Sequence, residues 1–344
     1  MNRPGPRRAF PMLLAAALAA GGCAASGARF TFVEENDVFN IGEGLKTDRD
    51  RTQGLRLAAT FPAKDTPGWA RSVAGALPIF AKDAPVHVGV VVGQELCTPE
   101  DRTLAVPPPD DRPYAAVLYA GFALQAPALD PDADRRLDRR DTLELDLGVV
   151  GPSAHGEQAQ NGAHELFDIS LAQGWDTQLE DELAIQASWE RRWRVLALGG
   201  SGDGGGVGFD TLPLLRARAG TVRVDASAGA VLRVGWNLPR DFGPTTIDSF
   251  GLEPGAKPPG FSASIWAGGE GAAVVHDVTL EGGVFRERNA VTEKPWTWLA
   301  TAGVSVGFGP VTVAFIQNFT SPEFRENERY HQTGTILVSA AFWF

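Results

Sequence analysis

Cysteine is nearly absent from this chain: Cys23 and Cys97 are the 2 in 344 residues, too few for a disulfide framework or a Cys-rich zinc cluster. Basic charge is also short. Lys and Arg number 31 against 42 Asp and Glu, a net charge of −11, so no cationic surface dominates to neutralise phosphates and a nucleic-acid partner is disfavoured. With 44% apolar and 21% charged residues, the composition is neither disordered nor collagen-like. Beyond the N-terminus no apolar run reaches the ~18 residues that a transmembrane helix needs. There is no Gly-x-Ser-x-Gly elbow and no His-Glu-x-x-His helix, which disfavours an α/β-hydrolase serine esterase and that class of zinc protease. The glycine-rich stretch Gly199–Gly206 lacks a following Lys-Ser/Thr and reads as a flexible loop rather than a phosphate cradle.

What is present begins with a leader. Arg3, Arg7 and Arg8 form a positive start, Phe10 to Ala20 an apolar core too short to span a bilayer, and Gly21 to Ala28 a small-residue tail. That is the pattern of a secretory signal over residues 1–28, leaving one domain over residues 29–344. Cys23 after Gly21 and Gly22 hints at a lipoprotein signal, although Ala20 stands where Leu is usual. Once exported, the mature chain keeps Cys97 as its one certain thiol and needs a large core or a membrane to hold it.

The body alternates apolar and polar residues in stretches of about ten, the period of β-strands. Thr52–Phe61, Val86–Glu95, Leu143–Val149, Val222–Val234, Ser262–Ala272, Val278–Arg286, Val311–Phe319 and Thr333–Phe344 are examples. A soluble sandwich would alternate too. Three features favour an outer-membrane barrel. The chain ends in Ala341-Phe342-Trp343-Phe344, and Tyr114, Trp189, Trp193, Trp236, Trp296 and Trp298 stand where strand ends are expected. Turns also come in two sizes: Gly220-Thr221, His276-Asp277 and Gly309-Pro310 read as tight, Asn237–Gly260 and Thr320–Gln332 as long outer loops. Backbone groups unpaired in lipid are costly, so such strands must close on themselves. About thirteen candidate strands can be counted, and an even number is required, so the expectation is an all-β, transmembrane antiparallel barrel of about twelve. Phe209–Ala219 is the stretch whose span is in question.

Two regions break the strand pattern with chemistry. Glu157–Phe167 predicts a short helix in a loop, where Gln160 and His164, four apart, share a face; a solvated loop with an incidental histidine is the plain alternative. Glu34-Glu35-Asn36-Asp37 and Asp48-Arg49-Asp50-Arg51-Thr52-Gln53-Gly54 gather carboxylate and amide oxygens at one barrel rim, suited to a hard cation such as calcium or simply to acidic loops. His87, His276 and His331 read as structural.

These motifs form an ordered set. Glu35-Asn36-Asp37-Val38-Phe39, Thr52-x-Gly54, Gly93-Gln94-Glu95, Thr98-Pro99-Glu100-Asp101 and Asp110-Asp111-Arg112-Pro113-Tyr114-Ala115 open it. Gly148-Val149-Val150-Gly151-Pro152-Ser153-Ala154, Gln160-x-x-x-His164, Gly174-Trp175-Asp176-x-Gln178-Leu179 and Asn237-Leu238-Pro239 complete it. The sequence resembles the outer-membrane lipid A 3'-O-deacylases, the LpxR family, over nearly all of its mature length. The resemblance implies a barrel of about twelve strands with a short extracellular helix and an active site near the outer rim. It further implies calcium-dependent hydrolysis of the 3'-linked acyloxyacyl ester of lipopolysaccharide in the bacterial outer membrane. By position, Asn36, Thr52, Gln160 and His164 would be catalytic and Asp37 a ligand of Ca2+, with His164 taking a proton from water. The acid that follows this histidine in some relatives has no clear counterpart in Asp168-Ile169-Ser170. Lys46, Arg49 and Arg51 could meet the phosphates and sugars of lipid A, with outer-membrane lipids around the wall; the oligomeric state is left open. A phospholipase A-type esterase and a non-enzymatic barrel are the alternatives.

Overall fold

The computed structural model describes residues 27–41, 49–129, 138–199, 205–250, 260–284 and 291–342. The leader with Cys23, the terminal Phe344 and Lys46 lie outside the described residues. Twelve strands are present: β1 (Ala28–Asn36), β2 (Asp50–Phe61), β3 (His87–Thr98), β4 (Ala115–Ala128), β5 (Asp138–Val150) and β6 (Glu182–Gly199) in the first half. β7 (Val207–Gly220), β8 (Arg223–Trp236), β9 (Phe261–Asp277), β10 (Trp296–Phe308), β11 (Val311–Thr320) and β12 (His331–Phe342) form the second, and a short helix, α1 (Gly68–Ala76), lies between β2 and β3. Each pairs antiparallel with its sequence neighbours, and β1 pairs with β12, closing the barrel. An even number brings both termini to one end, which is the periplasmic end for a chain exported to the outer membrane.

The alternation read from sequence sorts the two faces. Val90, Val92, Leu145, Leu147, Leu183 and Ile185 are exposed on the outside, the apolar band that lipid requires. Lumen positions are charged and buried. Arg56 binds both oxygens of Glu144 at 2.6 Å, Glu190 meets Arg140, Arg192 and Arg216, and Asp210 meets Arg194 and Arg233.

Several expectations need correction. Phe209–Ala219 does span, within β7. The surplus strand was Val278–Arg286: Val278–Glu281 is one helical turn, α3, because the Asp277 carboxylate accepts from the Thr279 N–H (2.9 Å) and Gly282, at φ 85°, ends it. Val278, Thr279 and Leu280 are all buried; it is the apolar-polar order Val278-Thr279-Leu280-Glu281 that imitates period two in the sequence. His276-Asp277 is therefore the end of β9, not a turn. Trp189 and Trp193 lie inside the 18-residue β6, and Tyr114 is fully buried rather than part of a girdle.

The turn asymmetry holds in part: Gly309-Pro310 is a tight turn at the periplasmic end and the β11–β12 connection a long one at the outer end, but two of the expected connections are reversed. The tight turn after Gly220 is at the outer end, whereas the long connection after Trp236 starts at the periplasmic end. This connection turns into the lumen. Arg240 pairs with Asp138 at the bottom, Arg192 donates to the carbonyls of Phe242 and Pro244, and Asp248 reaches Arg51 and Arg218 near the top. Phe250 lies 2.0 Å from where a Cβ on Gly89 would stand, so glycine is required there. Residues 237–250 are thus an internal plug. Over the outer mouth, Arg112 pairs with Glu323 (2.5 Å), Arg329 with Glu100, and Glu293 bridges to Phe324.

Candidate active site

The helix expected at Glu157–Phe167 is α2, Gly156–Phe167, in the β5–β6 connection at the outer end. Its approach depends on Gly151, whose φ of 101° favours glycine and whose Cβ would lie 2.6 Å from the Glu180 backbone. Ala154, Ala172 and Trp175 pack with Leu96, Tyr114 and Ala116, and Leu118 and Val149 join them. Leu118 and Ala116 alternate with the lumen residues Val117 and Tyr119, so they belong to the outer surface of the wall. The α2 segment therefore lies against the outside of the barrel at its outer rim, not across the pore.

Gln160 and His164 are the buried residues of this helix besides Gly156. The Trp175 Nε1–H donates to Gln160 Oε1 at 2.8 Å. His164 Nδ1 stands 2.8 Å from the Ser170 carbonyl oxygen. A carbonyl only accepts, so Nδ1 carries the proton and Nε2 is the basic nitrogen. The histidine is oriented by a backbone carbonyl; Asp168 caps the helix in a left-handed conformation at φ 58°.

The other expected residues occupy the same rim. Asn36 is opposite Gln53, Gln53 opposite Leu96, and Leu96 opposite Ala116, a row along the outside of four strands about 14 Å wide at the usual strand spacing. A register shift between Arg51 and Gln53 makes Thr52 the extra residue of a bulge. Thr52 and Thr98 place their hydroxyl oxygens 2.5 Å apart. Asn36 Oδ1 caps the turn Asp37–Phe39 by accepting from the Val38 N–H (3.0 Å), and buried Asp37 accepts from the Arg49 N–H (2.9 Å). One step deeper in the wall, Gln53 donates to Glu34 (3.1 Å) and Gln94 to the Ala154 carbonyl (2.7 Å). Polar side chains facing outward at a membrane wall are costly and mark function. The floor between Asn36 and α2 is such a patch.

Arg49 and Arg51 diverge. The Arg49 guanidinium donates to the Tyr330 carbonyl at the mouth (3.2 Å), while Arg51 enters the lumen among Glu35, Glu95 and Asp248. Among the described residues no cluster of three or more His, Cys, Asp or Glu suits a metal. At Asp37 a carboxylate stands with the neighbouring Asn36 amide oxygen and its own backbone carbonyl, oxygen donors of the kind a hard cation takes. Sequence reasoning gave no role to Thr98, the Ser170 carbonyl or Trp175; Thr98 and Trp175 stood inside the Thr98-Pro99-Glu100-Asp101 and Gly174-Trp175-Asp176 motifs, whereas a backbone carbonyl leaves no side-chain signal.

A family model described as outer membrane protein LpxR matches residues 9–342. The chain belongs to the LpxR family of outer-membrane proteins. Among solved structures, LpxR from Salmonella typhimurium is 21% identical, with a TM-score of 0.70, covering 92% of this chain and 100% of that one. The β domain of the Bordetella autotransporter BrkA is 10% identical with a TM-score of 0.41, covering 92% and 98%. No curated protein matches the sequence. The family's location and the barrel with its apolar outer band together place the chain in the outer membrane.

Proposed function

We propose that this LpxR-family member is a lipid A deacylase that hydrolyses the 3'-linked acyloxyacyl ester of lipopolysaccharide in the outer leaflet. The observation that carries the reading is His164, proton on Nδ1 and base on Nε2, held on a helix that packs against the outside of the wall at the outer rim. A lipid need not leave the membrane to reach it. Its acyl chains lie along the apolar wall while its ester rests at the rim, above the polar floor of Gln53 and Gln94.

Hydrolysis then needs three things from the chain. His164 Nε2 takes the proton of a water molecule as that water attacks the ester carbonyl carbon, and returns it to the departing sugar oxygen. Asn36 and Thr52 place the ester by hydrogen bonding from the floor. Asp37 would hold calcium with neutral oxygens, and calcium when bound supplies positive charge beside the carbonyl oxygen as it becomes an anion. Arg49, with Lys46 from the same connection, meets the phosphates of the glucosamine head. Arg51 is committed to lumen carboxylates and is assigned to the plug instead.

The pore reading is disfavoured by residues 237–250, which run through the lumen and are tied to its charges. A phospholipase would use the same water chemistry, and product identity separates the two. Refolded protein is incubated with lipid A and, separately, with phospholipid, with calcium or with EDTA, and the products are weighed by mass spectrometry. Calcium-dependent loss of one acyloxyacyl group from the 3' position supports the proposal; fatty acid released from phospholipid alone overturns it.

A further inference from the structure

The indole N–H of Trp175 can only donate, so the amide atom 2.8 Å from it must be the oxygen of Gln160. That contact decides which way the amide faces: Oε1 is spent on the indole and Nε2 is the end left over. Gln160 is 2% exposed, and its Nε2 finds no hydrogen-bond partner among the described residues. A buried donor left without an acceptor is costly, so its persistence calls for an acceptor that arrives with the substrate.

We propose that Trp175 is a positioning residue that locks the Gln160 amide with its nitrogen toward the ester, where it donates to the oxyanion of the tetrahedral intermediate. The proposal rests on the deacylase reading above. Gln160 lies one helical turn before His164 on the buried face of α2, so base and donor serve one carbonyl: water oxygen bonds to its carbon, the proton goes to His164, and the negative charge forms on the carbonyl oxygen. The indole itself has little freedom. Its ring packs 5.0 Å from that of Tyr114, and a Cβ on Gly156 would lie 2.6 Å from it. The segment leading to it is tied to α2 because Asn161 both donates to the Ala172 carbonyl (3.2 Å) and accepts from the Ala172 N–H (2.9 Å). Remove the indole N–H and the amide is free to turn over, presenting an oxygen to an oxyanion.

The test is a double-mutant cycle on the full-length refolded protein, with each variant's heat-modifiable migration checked first. Trp175→Phe keeps a ring in the cluster; it should lower kcat about 10- to 100-fold with KM nearly unchanged, and Gln160→Ala should lower it about 100- to 1,000-fold. The double variant should be no slower than Gln160→Ala alone, since Trp175 acts through Gln160. Gln160→Glu, close in shape, should be at least as slow as Gln160→Ala, because a carboxylate oxygen then faces the oxyanion. Losses that multiply in the double variant, or a Trp175→Phe protein as fast as wild type, overturn the proposal. A folded wild type that releases no acyl chain overturns the deacylase reading and this proposal together; an active wild type with multiplying losses overturns the role of Trp175 alone.

Discussion

Replacing Glu190 with Gln should destabilise the barrel while leaving its chemistry intact. Glu190 is buried in the lumen, where one oxygen meets Arg140 (2.7 Å) and Arg192 (2.8 Å) and the other meets Arg216 (2.9 Å). The isosteric amide keeps the volume but withdraws the one negative charge that these guanidinium groups share, and it points N–H groups at them. Removing one side of a buried charge cluster costs about 3–5 kcal/mol. Arg192 also donates to the Phe242 and Pro244 carbonyls and to Ser249, so loosening it loosens the plug. Urea unfolding of protein refolded into vesicles measures the loss; with a slope of about 3 kcal/mol per molar, the midpoint should fall by about 1 M or more. Acyl release per folded molecule should be unchanged, because the site lies on the outside of the wall. A loss under about 1 kcal/mol, the scale of a surface pair, would refute the view of the lumen as a low-dielectric charge cluster. Lost activity in a folded variant would refute the separation of lumen from site.

Gly151→Ala should cripple acyl release while leaving a heat-modifiable barrel, since the φ of 101° and the Glu180 backbone leave no room for a Cβ and the turn into α2 must shift; gel migration and turnover check the two halves. Thr52→Val removes one hydroxyl of the Thr52–Thr98 pair; losing that buried hydrogen bond should cost about 0.5–1.5 kcal/mol in urea unfolding, with turnover falling as well. In planar bilayers the wild type should be non-conducting at neutral pH. Burial pushes the Glu323 carboxyl up, but Arg112 and Arg223 outweigh it and hold it below the usual range. Its contribution is therefore complete above the ordinary carboxylate pKa and is lost as pH falls through the depressed value. Acidification into that range should open the Arg112–Glu323 contact at the mouth, read as lower thermal stability in strongly acid buffer; stability flat across that range contradicts the assignment.

Strand alternation was legible in the sequence because lipid and lumen impose opposite chemistry on neighbouring residues. α2 was legible because Gln160 and His164 fall on one side of a stretch that breaks period two. What failed, failed for local reasons. Val278–Glu281 imitates a strand because apolar and polar residues alternate along a single capped turn. Asn237–Gly260 looked like an outer loop because Arg240, Asp241 and Asp248 are polar, yet their partners are lumen charges no local pattern reveals. The bulge at Thr52 was hidden because Asp50-Arg51-Thr52-Gln53-Gly54 shows no break in composition, although it turns Arg51 inward and Thr52 toward Thr98. Trp175 shows the limit from the other side: a motif can be read without reading that its indole orients an amide on another element.

The most direct test of the account is to follow oxygen during the reaction. Refolded wild type and His164→Ala are incubated with lipid A in oxygen-18 water, and the products are analysed by mass spectrometry. Attack of water on the carbonyl carbon, with His164 as base, predicts one heavy oxygen in the carboxylate of the released acyl group, none in the sugar hydroxyl, and no release by folded His164→Ala. Label in the sugar hydroxyl, or release undiminished in His164→Ala, would contradict it.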